Sequence, residues 1–257
     1  MTSSVYKEQE IKVANVGGLN TACLDRKELV NLICKKIESF GEGTREYVIS
    51  STNGHSVSLY NRESRTRELI DDVDLLHADG QSIVTMSKYF SKYKIPERSA
   101  TTDMFTDIPQ LSERHIRHFL LGGKRDTVQR CAEIMSERYS NFCVGGVVDG
   151  YFEDTETEKI IQTINNSRTD ILWVGLGKPK EQEFVYKHRA QLNVPVIITC
   201  GGCFNYVTGE YKRAPKWMQK LGLEWLHRAS TEPKKLLVRY LTTNPHAIYC
   251  GLKNFNK

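Results

Sequence analysis

The feature that most constrains this chain is a repeated change of hydrophobic period. Short apolar runs, several closing on glycine, alternate with stretches in which apolar residues recur every three or four positions. YVISS (47–51), SIVTM (82–86), RHFLLGG (117–123), FCVGGVV (142–148), DILWVGLG (170–177) and VPVIITCGG (194–202) read as strands. KELVNLICKKIESF (27–40), RDTVQRCAEIMSERY (125–139), TEKIIQTINNS (157–167) and KEQEFVYKHRAQL (180–192) read as helices between them. Strands this rich in Val, Ile and Leu are buried on both faces. The pattern therefore predicts an α/β fold, a parallel sheet covered by helices on both sides. A chain of 257 residues can fill one large core, or a core with an appendage.

Three predicted strands end in Gly122-Gly123, Gly175 with Gly177, and Gly201-Gly202. In open α/β sheets, ligands sit at the carboxyl ends of strands, where glycine lets backbone approach and helix N-termini attract phosphate. Tight turns account for the same glycines about as well. No G-x-G-x-x-G follows a strand, which counts against a dinucleotide cofactor. The opening MTSSVYKEQEIKV lacks the apolar segment of a signal peptide, and no run of about 18 apolar residues is present. Seven scattered cysteines fit a reducing compartment better than a disulfide framework.

Charge divides the chain. Of 36 Lys and Arg, ten lie from Gly209 onward, with three of the 31 Asp and Glu; the first 208 residues thus hold 26 basic and 28 acidic groups. This predicts a core over 1–208 and a basic appendage over 209–257. The appendage reads as two amphipathic helices. In the first, Pro215 opens the helix and Trp217, Met218, Leu221 and Trp225 share a face, beside a stripe of Arg213, Lys216, Lys220 and His227. Gly222 can bend it. In the second, capped by Ser230 or Thr231, Leu236, Leu237, Tyr240 and Leu241 share a face, with Lys234, Lys235 and Arg239 around it. Tryptophan with basic flanks suits a membrane interface; packing on the body or on a sister subunit would use the same pattern.

Four stretches hold candidate chemistry. In LLHADGQSIV (75–84), Asp79 precedes Gly80 at an expected helix-to-strand junction; it suits a general base or, more plainly, a turn. Asp72 and Asp74 form a D-x-D, but within a helical pattern, which argues against a metal site. Cys200 and Cys203 form a C-x-x-C without further ligands nearby, and the bland reading is two small buried residues. VGLGKPKEQEFV (174–185) runs a glycine-closed strand into a helix through Pro179 and Lys180, a plausible seat for a diphosphate or sugar hydroxyls.

Together the motifs resemble the WecG/TagA/CpsF glycosyltransferases. The matching pieces run in order: Ser51-Thr52-Asn53, Ala78-Asp79-Gly80, Pro96-Glu97-Arg98, Phe119 to Gly123, Gly150-Tyr151-Phe152, Ile164-Asn165 to Leu172, Val174 to Glu183, Gly201-Gly202 to Gly209, Lys212-Arg213-Ala214-Pro215, Leu223 to Leu226, and Glu232-Pro233. The resemblance implies a Rossmann-like core of the GT-E type with a helical C-terminal appendage that completes the site and touches the membrane. It implies an inverting, cytosolic enzyme, peripheral at the inner membrane face, that needs no metal or other cofactor. The implied substrates are a UDP-sugar donor and a polyprenyl diphosphate-linked sugar acceptor. It assigns Asp79 as the base, with Ser51, Asn53 and Arg98 in the same pocket. Gln182 or Glu181 takes the place of the family glutamine, and Arg228 and Arg239 meet the departing diphosphate. Asp103, Gly122, Gly123, Gly177, Lys180, Asn205, Arg213 and Lys235 complete the expected substrate-binding set. Lys235 stands where arginine is usual and would offer only a point charge, and Asn205 stands where aspartate is common. Arg98 is followed by Ser-Ala-Thr-Thr-Asp103 where a pattern with glycine is commoner, so the donor is open between an N-acetylmannosamine and a glucose or galactose type. A nicotinamide oxidoreductase, and a non-catalytic module holding anionic lipid or nucleic acid, are the alternatives; a homo-oligomer would offer another cover for the apolar helices.

Overall fold

In the computed structural model, residues 11–231 and 233–254 are described, apart from the side chains at 220 and 233–235. The chain opens with a hairpin, β1 (Val13–Val16) and β2 (Leu19–Ala22), turning at Gly17-Gly18. Then come α1 (Arg26–Glu38), β3 (Tyr47–Thr52), α2 (Gly54–Arg62), α3 (Ser64–Asp71), β4 (Leu75–Ala78), α4 (Gln81–Phe90) and α5 (Thr101–Leu111). The second half follows as β5 (Ile116–Gly122), α6 (Arg125–Arg138), β6 (Phe142–Val148), α7 (Thr157–Asn166), β7 (Ile171–Gly175), α8 (Lys180–His188), β8 (Val196–Thr199) and α9 (Cys203–Val207). Three helices close the chain: α10 (Lys216–Lys220), α11 (Glu224–Thr231) and α12 (Pro233–Lys253).

Among the described residues, eight strands form one sheet in the order β1-β2-β4-β3-β8-β7-β5-β6, parallel except for the β1–β2 hairpin. Alternation explains why both faces are apolar. On β5 and β7, Leu120, Ile171 and Trp173 join one core with Phe105, Met104 and Phe204. Phe119, Leu121, Leu172 and Val174 point the other way, into a core with Ile161, Ile164 and Phe184. A third cluster, with Ala14, Val16, Val57 and Ile83, lies at the hairpin end. β5 continues to β6 on one side and its neighbour β7 to β8 on the other, so crossovers diverge there. That is the switch geometry where open sheets bind ligands.

Several sequence expectations change. SIVTM is not a strand but the middle of α4, with Ile83, Val84, Met86 and Ser87 buried on one side; a short apolar run carries no period of its own. The helical pattern through RELIDDVDLLH stops at Asp71, and Leu75–Ala78 is a strand buried on both faces. Asp79 therefore sits at a strand-to-helix junction, the ligand end of the sheet. The helix expected over 180–192 ends at His188 and passes into a 3₁₀ turn.

The first appendage helix is two. Gly222, at φ 73°, turns the chain between α10 and α11. Trp217 is consequently exposed, whereas Trp225 packs with Ala229, Leu236 and Tyr240. Ser230 and Thr231 do not cap the next helix; their hydroxyls donate to the carbonyls of His227 and Arg228 inside α11. α12 splits its apolar residues. Leu236 and Tyr240 turn inward, and Ala247 and Cys250 join the hairpin-end core. Leu237, Val238, Leu241, Ile248, Tyr249 and Leu252 form an exposed stripe. No helix among the described residues is long and apolar enough to cross a membrane.

Candidate active site

The carboxyl ends of β3, β4, β7 and β8 converge on Asp79. Its backbone N–H donates to the Thr52 carbonyl (3.0 Å), which fixes the turn out of β4. One carboxylate oxygen accepts the Thr101 N–H (3.1 Å), the other the Asn53 side-chain amide (3.4 Å). Arg98 Nε donates to the Asp79 carbonyl (2.6 Å). Burial opposes ionisation of this carboxyl, but Arg98, His77, the Thr101 amide and Lys178 together hold its pKa below the ordinary value. Asp79 is thus a fixed carboxylate, ready to accept a proton.

Asn53 is placed by its own helix. As the N-cap of α2, its side-chain oxygen accepts the Ser56 N–H (3.0 Å) and the Ser56 hydroxyl (3.0 Å). Its amide nitrogen is left to face Asp79. Beneath the carboxylate, His77 donates from Nδ1 to the Ser99 carbonyl (2.6 Å). Burial lowers its pKa to about 4, so it is neutral at neutral pH.

Positive charge gathers around this carboxylate. Lys178 is held by the Ser51 carbonyl (2.7 Å), the Ser51 hydroxyl (3.1 Å) and the Ser56 hydroxyl (2.9 Å). Burial lowers its pKa, against the pull of Glu181 and Asp79. Arg228, from α11, lies over the Tyr206 ring (5.8 Å) within electrostatic reach of Asp79. Arg239, from α12, donates to the Tyr240 hydroxyl (3.2 Å), and its Nε is buried without a partner among the described residues. His55 reports the cluster: burial, then Arg239 and Lys178, bring its pKa to about 4.

The appendage motifs dock on the pocket. Glu224 of the Leu-Glu-Trp run pairs with Arg98 (2.7 Å). Arg213 of the Lys-Arg-Ala-Pro run pairs with Asp103 and donates to the Gln219 side chain (3.1 Å). Asp103 and Arg213, both expected at the substrate, therefore neutralise one another at the rim.

The expected residues divide. Ser51, Asn53, Asp79, Arg98, Arg228 and Arg239 come together. Glu181 is buried behind the pocket, where one oxygen accepts the N–H groups of Gly177 (3.0 Å) and Gly201 (2.9 Å). It ties two strand-end loops, and burial raises its pKa. Gln182 reaches the Ser50 hydroxyl (3.4 Å), and its side-chain oxygen is buried without a partner among the described residues. At Gly122 (φ 132°) a side chain would overlap the Gly175 carbonyl, so this glycine serves strand packing. Gly123 (φ 67°) donates its N–H to that same carbonyl (3.2 Å), whereas Gly177 (φ 78°) faces open space.

Two expected residues lie apart from this group. Lys180 is exposed, because α8 packs through Glu181, Gln182, Phe184 and Val185 and turns its first residue outward. Asn205 is engaged outside the pocket by Glu210 (2.8 Å). Lys235 is outside the described side chains. Sequence reading missed Lys178, Ser56 and Thr101. The first lies in the Gly-Lys-Pro-Lys run already singled out; only the fold shows which lysine turns inward.

The D-x-D is not a metal site. Arg189 donates to Asp72 (2.7 Å) and Asp74 (2.8 Å) and pairs with Glu46, at the amino end of β4. Cys200 and Cys203 are buried free thiols whose pKa values burial pushes well up, as the bland reading held. No group of three or more His, Cys, Asp or Glu able to hold a metal occurs among the described residues.

Comparison with known proteins agrees with the motif resemblance. The model of the Glycosyl transferase WecG/TagA/CpsF family matches residues 14–257. The chain is also similar to the N-acetylglucosaminyldiphosphoundecaprenol N-acetyl-beta-D-mannosaminyltransferase of Bacillus subtilis (strain 168), with 28% identity over 187 residues, covering 72% of each chain.

Proposed function

The chain belongs to the WecG/TagA/CpsF family of glycosyltransferases, and from that premise we propose that it moves a sugar from a UDP-sugar to a sugar carried on a polyprenyl diphosphate. One observation carries this reading: a fixed carboxylate, Asp79, faces a group of half-buried cations at the ligand end of the sheet. The name of the Bacillus subtilis relative, which transfers N-acetylmannosamine to a diphosphoundecaprenol-linked sugar, supports the acceptor class.

In this reading Asp79 takes the proton of the acceptor hydroxyl as that oxygen attacks the anomeric carbon. The carbon–oxygen bond to the donor diphosphate breaks on the opposite face, with inversion, and UDP leaves. Negative charge grows on the leaving diphosphate, where Arg228 and Arg239 stabilise it. Side-chain cations supply this charge, and no metal or other cofactor enters the scheme. The exposed stripe of α12 and Trp217 would rest on the inner membrane face, bringing the pocket to a lipid-linked acceptor from the cytoplasm. On this reading polysaccharide assembly at the cell surface is the pathway served, with no nucleic-acid partner. Residues 1–208 would form the transferase core and 209–257 the appendage that completes the site.

The test is UDP release. The protein is incubated with a panel of UDP-sugars covering N-acetylmannosamine, glucose and galactose, a polyprenyl diphosphate-sugar acceptor, and EDTA. Release with one donor, kept in EDTA and reduced at least about a hundredfold in Asp79→Asn, is expected. Asp79→Asn at wild-type rate would remove Asp79 as base.

A further inference from the structure

We infer that Lys178 is a positioning residue for Asp79, acting through Ser56 and Asn53. The inference deepens the transferase reading and rests on it for its catalytic meaning, though not for its geometry.

An ammonium group only donates. Lys178 spends its protons on the Ser51 carbonyl, the Ser51 hydroxyl and the Ser56 hydroxyl. Ser56 Oγ accepts from Lys178 and from the Asn53 backbone N–H (3.3 Å); of the two acceptors within reach of its single proton, the Asn53 side-chain oxygen (3.0 Å) is closer than the Ser51 carbonyl (3.2 Å). The Ser56 backbone N–H donates to that same oxygen (3.0 Å). With two donors on one side, the Asn53 amide has a single orientation, its NH₂ toward Asp79 (3.4 Å). The relay runs one way, from Lys178 to Ser56 to Asn53 to Asp79. It joins the loop after β7 to the start of α2 and ends on the carboxylate.

The lysine is also unbalanced in its contacts. Its three partners are neutral. Glu181, the acid that acts on it most strongly, spends one oxygen on the Gly177 and Gly201 amides. Its positive charge acts on Glu181 first and also on Asp79 across the pocket. The other groups that face Asp79 are Arg98 from the loop before α5, His77 on β4, Cys203 and Tyr206 on α9, and Arg228 on α11. Lys178 is the one that combines charge with a hydrogen-bonded route to the carboxylate.

The test reads Asp79 directly. ¹³C NMR of the Asp79 carboxyl, assigned with Asp79→Asn, follows its titration in the full chain, alongside kinetics with the donor found by the UDP-sugar panel. Lys178→Met is expected to move the Asp79 titration up by about one pH unit and lower kcat about tenfold, with KM for the donor within about twofold. Lys178→Arg, which keeps the charge, is expected to return most of the pKa shift. Ser56→Ala keeps the ammonium but cuts the relay. It is expected to move the titration in the same direction by less, and it serves if Lys178→Met does not fold. An Asp79 titration unmoved in Ser56→Ala overturns the inference, and if Lys178→Met still moves it the lysine acts by charge alone. A titration that moves as expected in a protein with no transferase activity keeps the relay and sinks the transferase reading instead.

Discussion

At the residue scale, the pocket rests on short polar side chains each held by several hydrogen bonds. Asn53 is an N-cap and a pocket residue at once, so its two ends are assigned by the helix it starts. Glu181 shows how a residue next to the chemistry can be a fastening. Its pKa is raised, mainly by burial. A carboxyl raised on folding stabilises the fold below its unfolded pKa and loses that contribution as pH rises through the folded value. Glu181→Gln keeps an oxygen for the two glycine amides and removes the buried charge. We expect its melting temperature at pH 7 to equal or exceed that of wild type, whereas Glu181→Ala, which orphans two buried N–H groups, loses about 1–3 kcal/mol in urea unfolding. A Glu181→Gln loss as large as that of alanine would mean the charge itself holds the loops.

At the element scale, α12 does two jobs along one length. Its inner face carries Tyr240, Thr243, Ala247 and Cys250 against α11, α2 and the hairpin. His246 reaches Ser58 of α2 (3.0 Å). Its outer stripe is left to solvent. Changing Leu237 and Leu241 to glutamate together touches only that stripe. We expect the melting temperature to stay within about 2 °C and partition onto anionic vesicles in flotation to fall at least about tenfold. Unchanged flotation would take the stripe out of membrane binding. α11 has the opposite design: Glu224 fixes it to Arg98, so that Arg228 arrives beside Asp79.

At the scale of the whole molecule, burial of neutral histidines ties stability to pH. His77 and His118 are fully buried in the sheet, and burial lowers their pKa from 6.5 to about 4 and about 3. A histidine depressed on folding stabilises the fold above its unfolded pKa, and the contribution fades as pH falls from 6.5 toward the folded value. By pH 5 the loss is about 2 kcal/mol for each. Urea unfolding at pH 7 and pH 5 is expected to show that fall, and His118→Gln to shrink it. A stability flat between these values would show that His118 and His77 are not held neutral.

The local sequence determined much of this. Strands from β5 to β8, the helices between them and the glycine-closed turns follow from short-range period and backbone freedom, which each segment carries alone. The motifs around Ser51-Thr52-Asn53, Asp79 and Arg98 could be matched to the family because each is contiguous, and it was that resemblance which proposed the pocket. What needed the tertiary structure was every choice between equal local options. SIVTM is as apolar as a strand, and only its packing beside β4 makes it α4. Lys178 and Lys180 are two residues apart, and only the orientation of α8 decides which enters the pocket. Asp72 and Asp74 carry no local sign of a partner, and it is Arg189, more than a hundred positions later, that takes both. Arg213 looked like a substrate contact until Asp103 met it, and Glu224 finds Arg98 across the same rim. Side-chain charge has no period; its partner is set by where distant segments cross the sheet, and that is decided only when the core closes.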